Sequence, residues 1–403
     1  MKKHIFYIFL LIISQLSFAQ QGIVLYNQSL VLVQKQQYNS DANKINKAIL
    51  EYNDSYILQT AIDINIYAKR FEQAKNIANQ LIEPEKFLAF AKIYVGKELY
   101  DSAYFYMQKY LKSSNKKPEF ILKNDSILVK MSSSKQWRLL WSKKWYDSLY
   151  IKLDKLESQV KYGDAANAII ELMSLKNLYT TNWRIYYLLS EGYQRIGANK
   201  QAINQLIKAL EYKKDDFNLI KKLSFLYAQN NEYGKAANFL EKAYKLRPYQ
   251  IDLLPQIAKF YLKSSQTDKT IKFLTIYLKY NDSDKQVKYK LAEVYYIEGK
   301  YLEAIRTINQ LMSEKQIQDN YKYFTLRGKA YFHTNSYKNS YYDLTMSLDL
   351  NPNQPELYRI IGQSAYLIGH KQEACLYWQR SYETFHDQNS KKMRDKLCKK
   401  LKL

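Results

Sequence analysis

From Trp183 onward the chain repeats one pattern of bulky and small apolar positions about every 34 residues. A period of that length signals stacked supersecondary units rather than a single bundle. The segment Trp183 to Asp216 carries Leu189, Tyr193, Gly197, Ala202, Leu206 and Ala209. Phe217 to Gln250 places Leu223, Tyr227, Ala236, Leu240 and Ala243 at the same offsets and adds Pro248. Ile251 to Asp284 is less regular: Ile257, Ala258, Tyr261 and Leu274 hold, but Thr270 and Tyr277 stand at small positions. Lys285 to Asn320 restores Leu291, Ala292, Tyr295, Gly299 and Ala304 and is slightly longer. Tyr321 to Gln354 has Phe324, Gly328, Tyr331, Tyr337, Ser340 and Pro352, and Pro355 to Gln388 has Tyr358, Gly362, Gly369, Ala374 and Trp378.

The spacing within each segment predicts two helices with a turn between them. Large side chains on the first, Leu189 and Tyr193, face Ala202 and Ala209 on the second, so the helices approach closely and Leu206 fills the remaining space. Gly197 falls at the turn, where its freedom at positive φ is useful. Pro248 and Pro352 end a second helix and redirect the chain. One hairpin cannot bury its own apolar face, so successive hairpins must stack into a continuous core.

These residues at this spacing resemble the tetratricopeptide repeat, in the form carried by exported bacterial proteins. The resemblance covers Trp183 to Gln388, about half of the chain. It implies an all-α fold, a right-handed superhelical solenoid of antiparallel helix hairpins. Upstream the pattern is fainter: Leu149 to Asn182 fits one more repeat through Gly163, Ala168 and Leu172, and Pro84 to Lys117 another through Tyr94, Tyr100 and Ala103. Phe71, Ala74 and Ala78 suggest a further hairpin, and residues 22–55 a first, poorly matched one. The expected organisation is therefore degenerate hairpins over 20–117, a Trp-rich insert over 118–148, an array of about seven repeats over 149–388, and a basic capping helix over 389–403.

The insert breaks the period. It contains Asp125, Leu128 and then Trp137, Trp141 and Trp145, whose four-residue spacing predicts one indole stripe on a helix capped by Ser134. An apolar plug between two parts of the solenoid is the plainer reading, and an aromatic platform for a partner the sharper one. In the tail, Met393, Leu397, Cys398 and Leu401 alternate with seven lysines and arginines. This predicts an amphipathic closing helix, with contact to anionic lipid or glycan as the sharper alternative.

The first residues change the picture of location. Lys2 and Lys3 precede an apolar run from Ile5 to Ile13, and Ser17-Phe18-Ala19 supplies small residues where a signal peptidase cuts. A secretory signal over 1–19, cut after Ala19, predicts a periplasmic or secreted protein. No cysteine lies near that cut, so no lipid-modified N-terminus is expected, and no later run is long and apolar enough to span a membrane. The formal charge of +24 would ordinarily suggest nucleic acid. Export sets that partner aside, and abundant Lys, Asn, Ile, Tyr and Phe reflect A/T-rich codons as much as function. Only 10 Gly and 6 Pro punctuate the chain, too few for the turns of a β-sandwich. Cys375 and Cys398 fall on neighbouring helices; two small buried residues is the favoured reading, and a disulfide in an oxidising compartment the other.

Chemistry is sparse. His333, His370 and His386 are scattered, and no metalloprotease, hydrolase-elbow, phosphate-loop or paired-cysteine motif is present. No catalytic residue, metal or cofactor is expected, and the chain is read as a non-enzyme. The resemblance implies instead a concave groove lined by the first helix of each repeat. Carried over repeat by repeat, its positions are Arg184, Tyr187, Lys221, Phe225, Lys259, Tyr289, Tyr296, Lys329, Phe332, Arg359 and Tyr366. Basic and aromatic side chains alternate there, which suits a peptide or helix bearing carboxylates and apolar groups. Lys221 occupies one position of the family's carboxylate clamp, but Phe225 stands where that clamp needs Asn, which argues against chaperone-tail recognition. The expected function is a protein-binding scaffold of the cell envelope whose partners are other envelope or secreted proteins. The alternative is an anionic envelope polymer, glycan or lipid surface held by the basic, Tyr-rich face.

Overall fold

The computed structural model describes residues 21–30, 37–51, 54–313 and 320–399. The expected signal segment and its cut, and the last four residues of the basic tail, lie outside the described residues. Among the described residues all regular structure is helical, and no helix is long and apolar enough to cross a membrane. The chain is all-α, built of antiparallel hairpins, and forms two compact units. The first runs up to Leu219 and also holds Lys245–Gln250; the second holds Ile220–Tyr244 and everything from Ile251 onward.

In the first unit the regular hairpins are Ser55–Tyr67 with Phe71–Ala78, Glu85–Gly96 with Tyr100–Leu111, Ser148–Tyr162 with Ala165–Leu178, and Trp183–Arg195 with Asn199–Tyr212. Leu153, Leu156, Leu172, Ile185, Leu188 and Leu189 share one buried cluster across the last two. Each such leucine contributes about 1.5–3 kcal/mol by leaving water. The earliest helices close onto the Lys245–Gln250 segment. Tyr26 meets Tyr249 edge to face at 5.2 Å, Asn27 donates to the Tyr249 carbonyl at 2.9 Å, and the Arg247 guanidinium lies over both Tyr56 and Phe217.

In the second unit the pairs are Leu253–Lys263 with Thr267–Tyr280, Lys285–Ile297 with Tyr301–Met312, Tyr321–His333 with Tyr337–Leu350, and Pro355–Leu367 with Lys371–Phe385. The preceding pair, Phe217–Gln229 with Tyr233–Leu246, crosses the division between the units. Small residues recur on both helices of a pair. Ala202, Ala236, Thr270, Ala304, Ser340 and Ala374 are buried on the second helix, and Ser190, Ser224, Ala258, Ala292, Gly328 and Gly362 on the first. Where the second-helix residue is Thr270, its hydroxyl donates to the Ala258 carbonyl at 3.3 Å, so the extra polar atom is satisfied within the hairpin. First helices begin on side-chain caps at Asn182, Asp216, Asp284 and Asn320. Each cap contributes about 1 kcal/mol.

The turn between the two helices is the most regular feature. Positive φ occurs at Gly197, Asn231, Ser265, Gly299, Asn335 and Gly369, 34 residues apart except for one step of 36. The amide of the residue after each bonds back to a carbonyl five positions earlier, as Ala198 does to Tyr193 and Gln266 to Tyr261, both at 2.9 Å. That bond belongs to a Schellman-type helix end. The same turn occurs at Lys69 and Glu98, with Arg70 bonding Asn65 and Leu99 bonding Tyr94. A left-handed conformation costs a non-glycine residue about 1 kcal/mol. Ser265→Gly and Glu98→Gly should therefore each raise unfolding free energy by up to about 1 kcal/mol, whereas Gly299→Ala should lower it by a similar amount. Urea unfolding followed by circular dichroism would check both signs.

Two expectations need correction. Ser134 does cap a helix, accepting from the Trp137 amide at 3.1 Å, but that helix is Lys135–Trp141 and ends at Ser142. Trp145 is not on it. Its indole N–H instead donates to the Leu140 carbonyl at 2.7 Å, a carbonyl at the helix end that the Lys143 amide reaches only at 3.5 Å. With Asp147 capping a new helix directly afterwards, the three indoles cannot form one stripe. Trp137 is buried and meets Trp141 edge to face at 5.6 Å, which is packing rather than presentation. The second correction concerns the cysteines, which are more than small buried residues. Cys375 and Cys398 are joined by a disulfide, and Cys398, Met393 and Leu397 pack on Ala365, Ala374 and Trp378. The bond ties the closing helix Gln388–Leu397 to the last hairpin.

Candidate functional site

The groove positions differ in how far their side chains are already committed. In the first unit, Arg184 binds Glu157 at 2.8 Å and Asp154, and its guanidinium lies 4.6 Å from the centre of the Tyr150 ring. Tyr187 packs against the buried leucine cluster, and burial with Glu191 close by pushes its hydroxyl far above the usual range. Both residues therefore work first in holding neighbouring helices together.

In the second unit, Lys221 is half-buried and Phe225 meets Phe260 edge to face. Tyr289 packs on the cluster of Ala292, Ile308, Leu311 and Tyr323. The Tyr296 hydroxyl lies 3.2 Å from His333 Nε2, and the His333 ring stacks on Tyr301 with centroids 4.5 Å apart. Lys329 bonds Glu356 at 3.1 Å, Phe332 meets Tyr337 edge to face, Arg359 lies 3.9 Å from Asp387, and Tyr366 leans on Trp378. Lys259 stands apart from these because it is exposed and lies on a cavity.

That cavity, about 400 Å³, lies among Leu253–Lys263, Thr267–Tyr280 and Lys285–Ile297. Its walls are Pro255, Ala258, Leu262, Leu274 and Val287, and Lys259, Lys263 and Lys290 carry ammonium groups around them. Lys263 rests 4.5 Å above the Tyr233 ring, and Lys290 pairs with Glu293 at 3.0 Å. Such surface pairs are weak and exchange partners readily. An apolar side chain could enter with carboxylates on either side of it, each meeting a lysine. Sequence reasoning found Lys259 and missed the rest. Lys263 lies one helical turn beyond it, a signal that was available. Lys290 and Val287 belong to the next repeat and become neighbours only through stacking.

The 34-residue turn period, the paired small positions and the hairpin stacking together define a helical-hairpin repeat fold of the tetratricopeptide type. No protein-family model matches the chain, and no curated protein matches it either. Among solved structures the chain is similar to the C-terminal part of a tetratricopeptide repeat protein from Cytophaga hutchinsonii, at 14% identity over 57% of this chain and 94% of that one, with a TM-score of 0.44. A tetratricopeptide repeat protein from Parabacteroides merdae is similar at 18% identity over 62% and 98% of the two chains, TM-score 0.36. YrrB, described as a tetratricopeptide protein with an unusual peptide-binding site, is similar at 17% identity over 46% and 94%, TM-score 0.38.

Proposed function

We propose that this chain is a non-catalytic scaffold of the cell envelope that holds a peptide or helix of another exported protein on the first helices of its repeats. The observation that carries the reading is the apolar cavity at Lys259 with its three lysines. Its chemistry fits a segment with one apolar anchor between acidic residues, because an anchor in a pocket supplies affinity and flanking charges select the partner. Lys221 and Lys329 extend the same basic character along the second unit. Placement in the envelope is supported by the leader-like first residues and by the Cys375–Cys398 disulfide, a bond that persists in oxidising compartments.

The test separates charge from shape. Lys221→Glu, Lys259→Glu and Lys329→Glu together should weaken capture of partners from an envelope extract by about tenfold or more, while helical content is kept and melting falls only slightly through loss of the Lys329–Glu356 pair. Val287→Trp, which fills the cavity without altering charge, should weaken capture as well. Capture unaffected by either change would exclude this groove.

A further inference from the structure

The cavity at Lys259 lies where other repeat junctions are filled. Two residues three apart on a first helix pack against the preceding repeat. Tyr323 and Leu326 lie on Ala292, Ile308 and Leu311 of the repeat before them. Ile185 and Leu188 share a core with Leu172 and Leu175, and Leu357 and Ile360 pack with Leu344 and Leu348. On Lys285–Ile297 the counterparts are Val287 and Lys290, and they line the cavity with Ala258 and Leu274, the counterparts of Ala292 and Ile308. The first member of the pair is buried at Ile185, Leu219, Leu253, Tyr323 and Leu357, but only half-buried at Val287. Lys222 and Gln256 also stand at the second position, both half-buried, whereas Lys290 is exposed. A smaller residue and an exposed cation thus leave about 400 Å³ open at this junction, in a core that is elsewhere close-packed.

The junction lacks a pair of bulky apolar side chains one helical turn apart. A helix presents such a pair at i and i+3 or i+4. An extended segment also carries apolar side chains, but its own N–H and C=O groups would meet Pro255, Ala258, Leu262, Leu274 and Val287, whose side chains offer no hydrogen bond. A helix satisfies those groups internally. The rim selects the charge. Lys259 and Lys263 stand one turn apart, and among the described residues Lys259 has no acidic partner. Lys263 donates to the Tyr233 hydroxyl at 3.2 Å, and Lys290 pairs with Glu293 at the surface.

We propose that an amphipathic helix of the partner completes this junction. Two bulky apolar side chains on one of its faces enter beside Leu262, Leu274 and Val287, and carboxylates flanking that stripe meet Lys259 and Lys263. The proposal rests on the groove reading above and narrows it, from a peptide or helix with one anchor to a helix with two.

The full chain tests this with a lactam-bridged helical peptide of about 15 residues, two leucines at i and i+4 among alanines and glutamates, with the bridge on the far face. Fluorescence anisotropy should show binding. An unbridged peptide with the same leucines and glutamates but a central proline should bind at least about tenfold more weakly, and a bridged peptide with lysine for glutamate should not bind. Val287→Leu with Lys290→Ile copies Leu357 and Ile360; it should raise the melting temperature by filling the junction and weaken the bridged helix by about tenfold or more. Lys259→Gln should weaken that helix severalfold with unchanged melting. Equal affinity for the proline peptide would overturn the helix and leave the groove standing. Parental affinity in the filled variant, a filled variant that melts below the parent, or no binding of the bridged helix would each overturn the proposal as well. The groove reading is judged separately, by whether Val287→Trp weakens capture from the envelope extract.

Discussion

Replacing Trp378 with alanine should destabilise the second unit by about 3–5 kcal/mol, the range for emptying a buried aromatic site. The indole is fully buried, and its N–H donates to the Arg359 carbonyl at 3.3 Å. Other repeats place Leu206, Leu240, Leu274, Ile308 or Leu344 at the corresponding position, so Trp378 is oversized for its place. Room comes from Gly362 on the facing helix, where a Cβ would lie only 2.4 Å from the indole nitrogen. Gly362→Ala gains about 1 kcal/mol of helix propensity yet should lose more, about 1–3 kcal/mol, to overpacking. The pair must then be coupled. Trp378→Leu combined with Gly362→Ala rebuilds the pairing of Ala258 with Leu274 three repeats earlier, and should be more stable than the two single changes imply by about 1–2 kcal/mol. Urea unfolding of the four proteins in that cycle measures the coupling; strict additivity would mean that the two side chains do not share one space.

This pair also shows what could be read from the chain alone. Gly362 and Trp378 both fell on repeat positions, because the period is carried by residues whose size is fixed by the distance between two helices. The same logic made the hairpin fold legible, and even the irregular third repeat keeps its turn, at Ser265. Ser190 and Ser224 were overlooked because serine is a weak apolar signal, although both are fully buried. The three tryptophans misled for a related reason: their spacing suits a helix, but a capping aspartate two residues after Trp145 starts another. Candidate sites were less legible. A sequence names the residues of one helix face, whereas the cavity at Lys259 is lined from three helices, with Lys259 on one and Lys290 on another. Whether a cation is spent on a neighbour, as Arg184 is on Glu157, depends on contacts the repeat pattern does not encode.

Lys92→Ala should cost the first unit about 3 kcal/mol, the lower end of the range for removing one member of a buried ion pair. The Lys92 ammonium binds Asp63 at 2.9 Å and Asp125 at 2.7 Å, and so joins the helices Ser55–Tyr67 and Glu85–Gly96 to the segment that interrupts the repeats. The lower end applies because the Asp63 side chain is 35% exposed, so water relieves part of the stranded charge. Asp125 is better enclosed and also accepts from the amides of Ile127 and Leu128. Burial pushes its carboxyl up, but Lys92 and those two amides outweigh burial and hold it below the usual range. A carboxyl lowered in the folded state contributes stability above its unfolded pKa and loses it as pH falls through the folded one. Without Lys92 that contribution shrinks, so the gap between parent and variant should be widest near neutral pH and narrow steadily in acid. Lys92→Met with Asp125→Asn removes one charge of each sign, and should recover much of the loss. Urea unfolding at several pH values measures the gap; one that stays constant from neutral pH into acid would show that Lys92 acts through packing of its aliphatic stem and not through its charge.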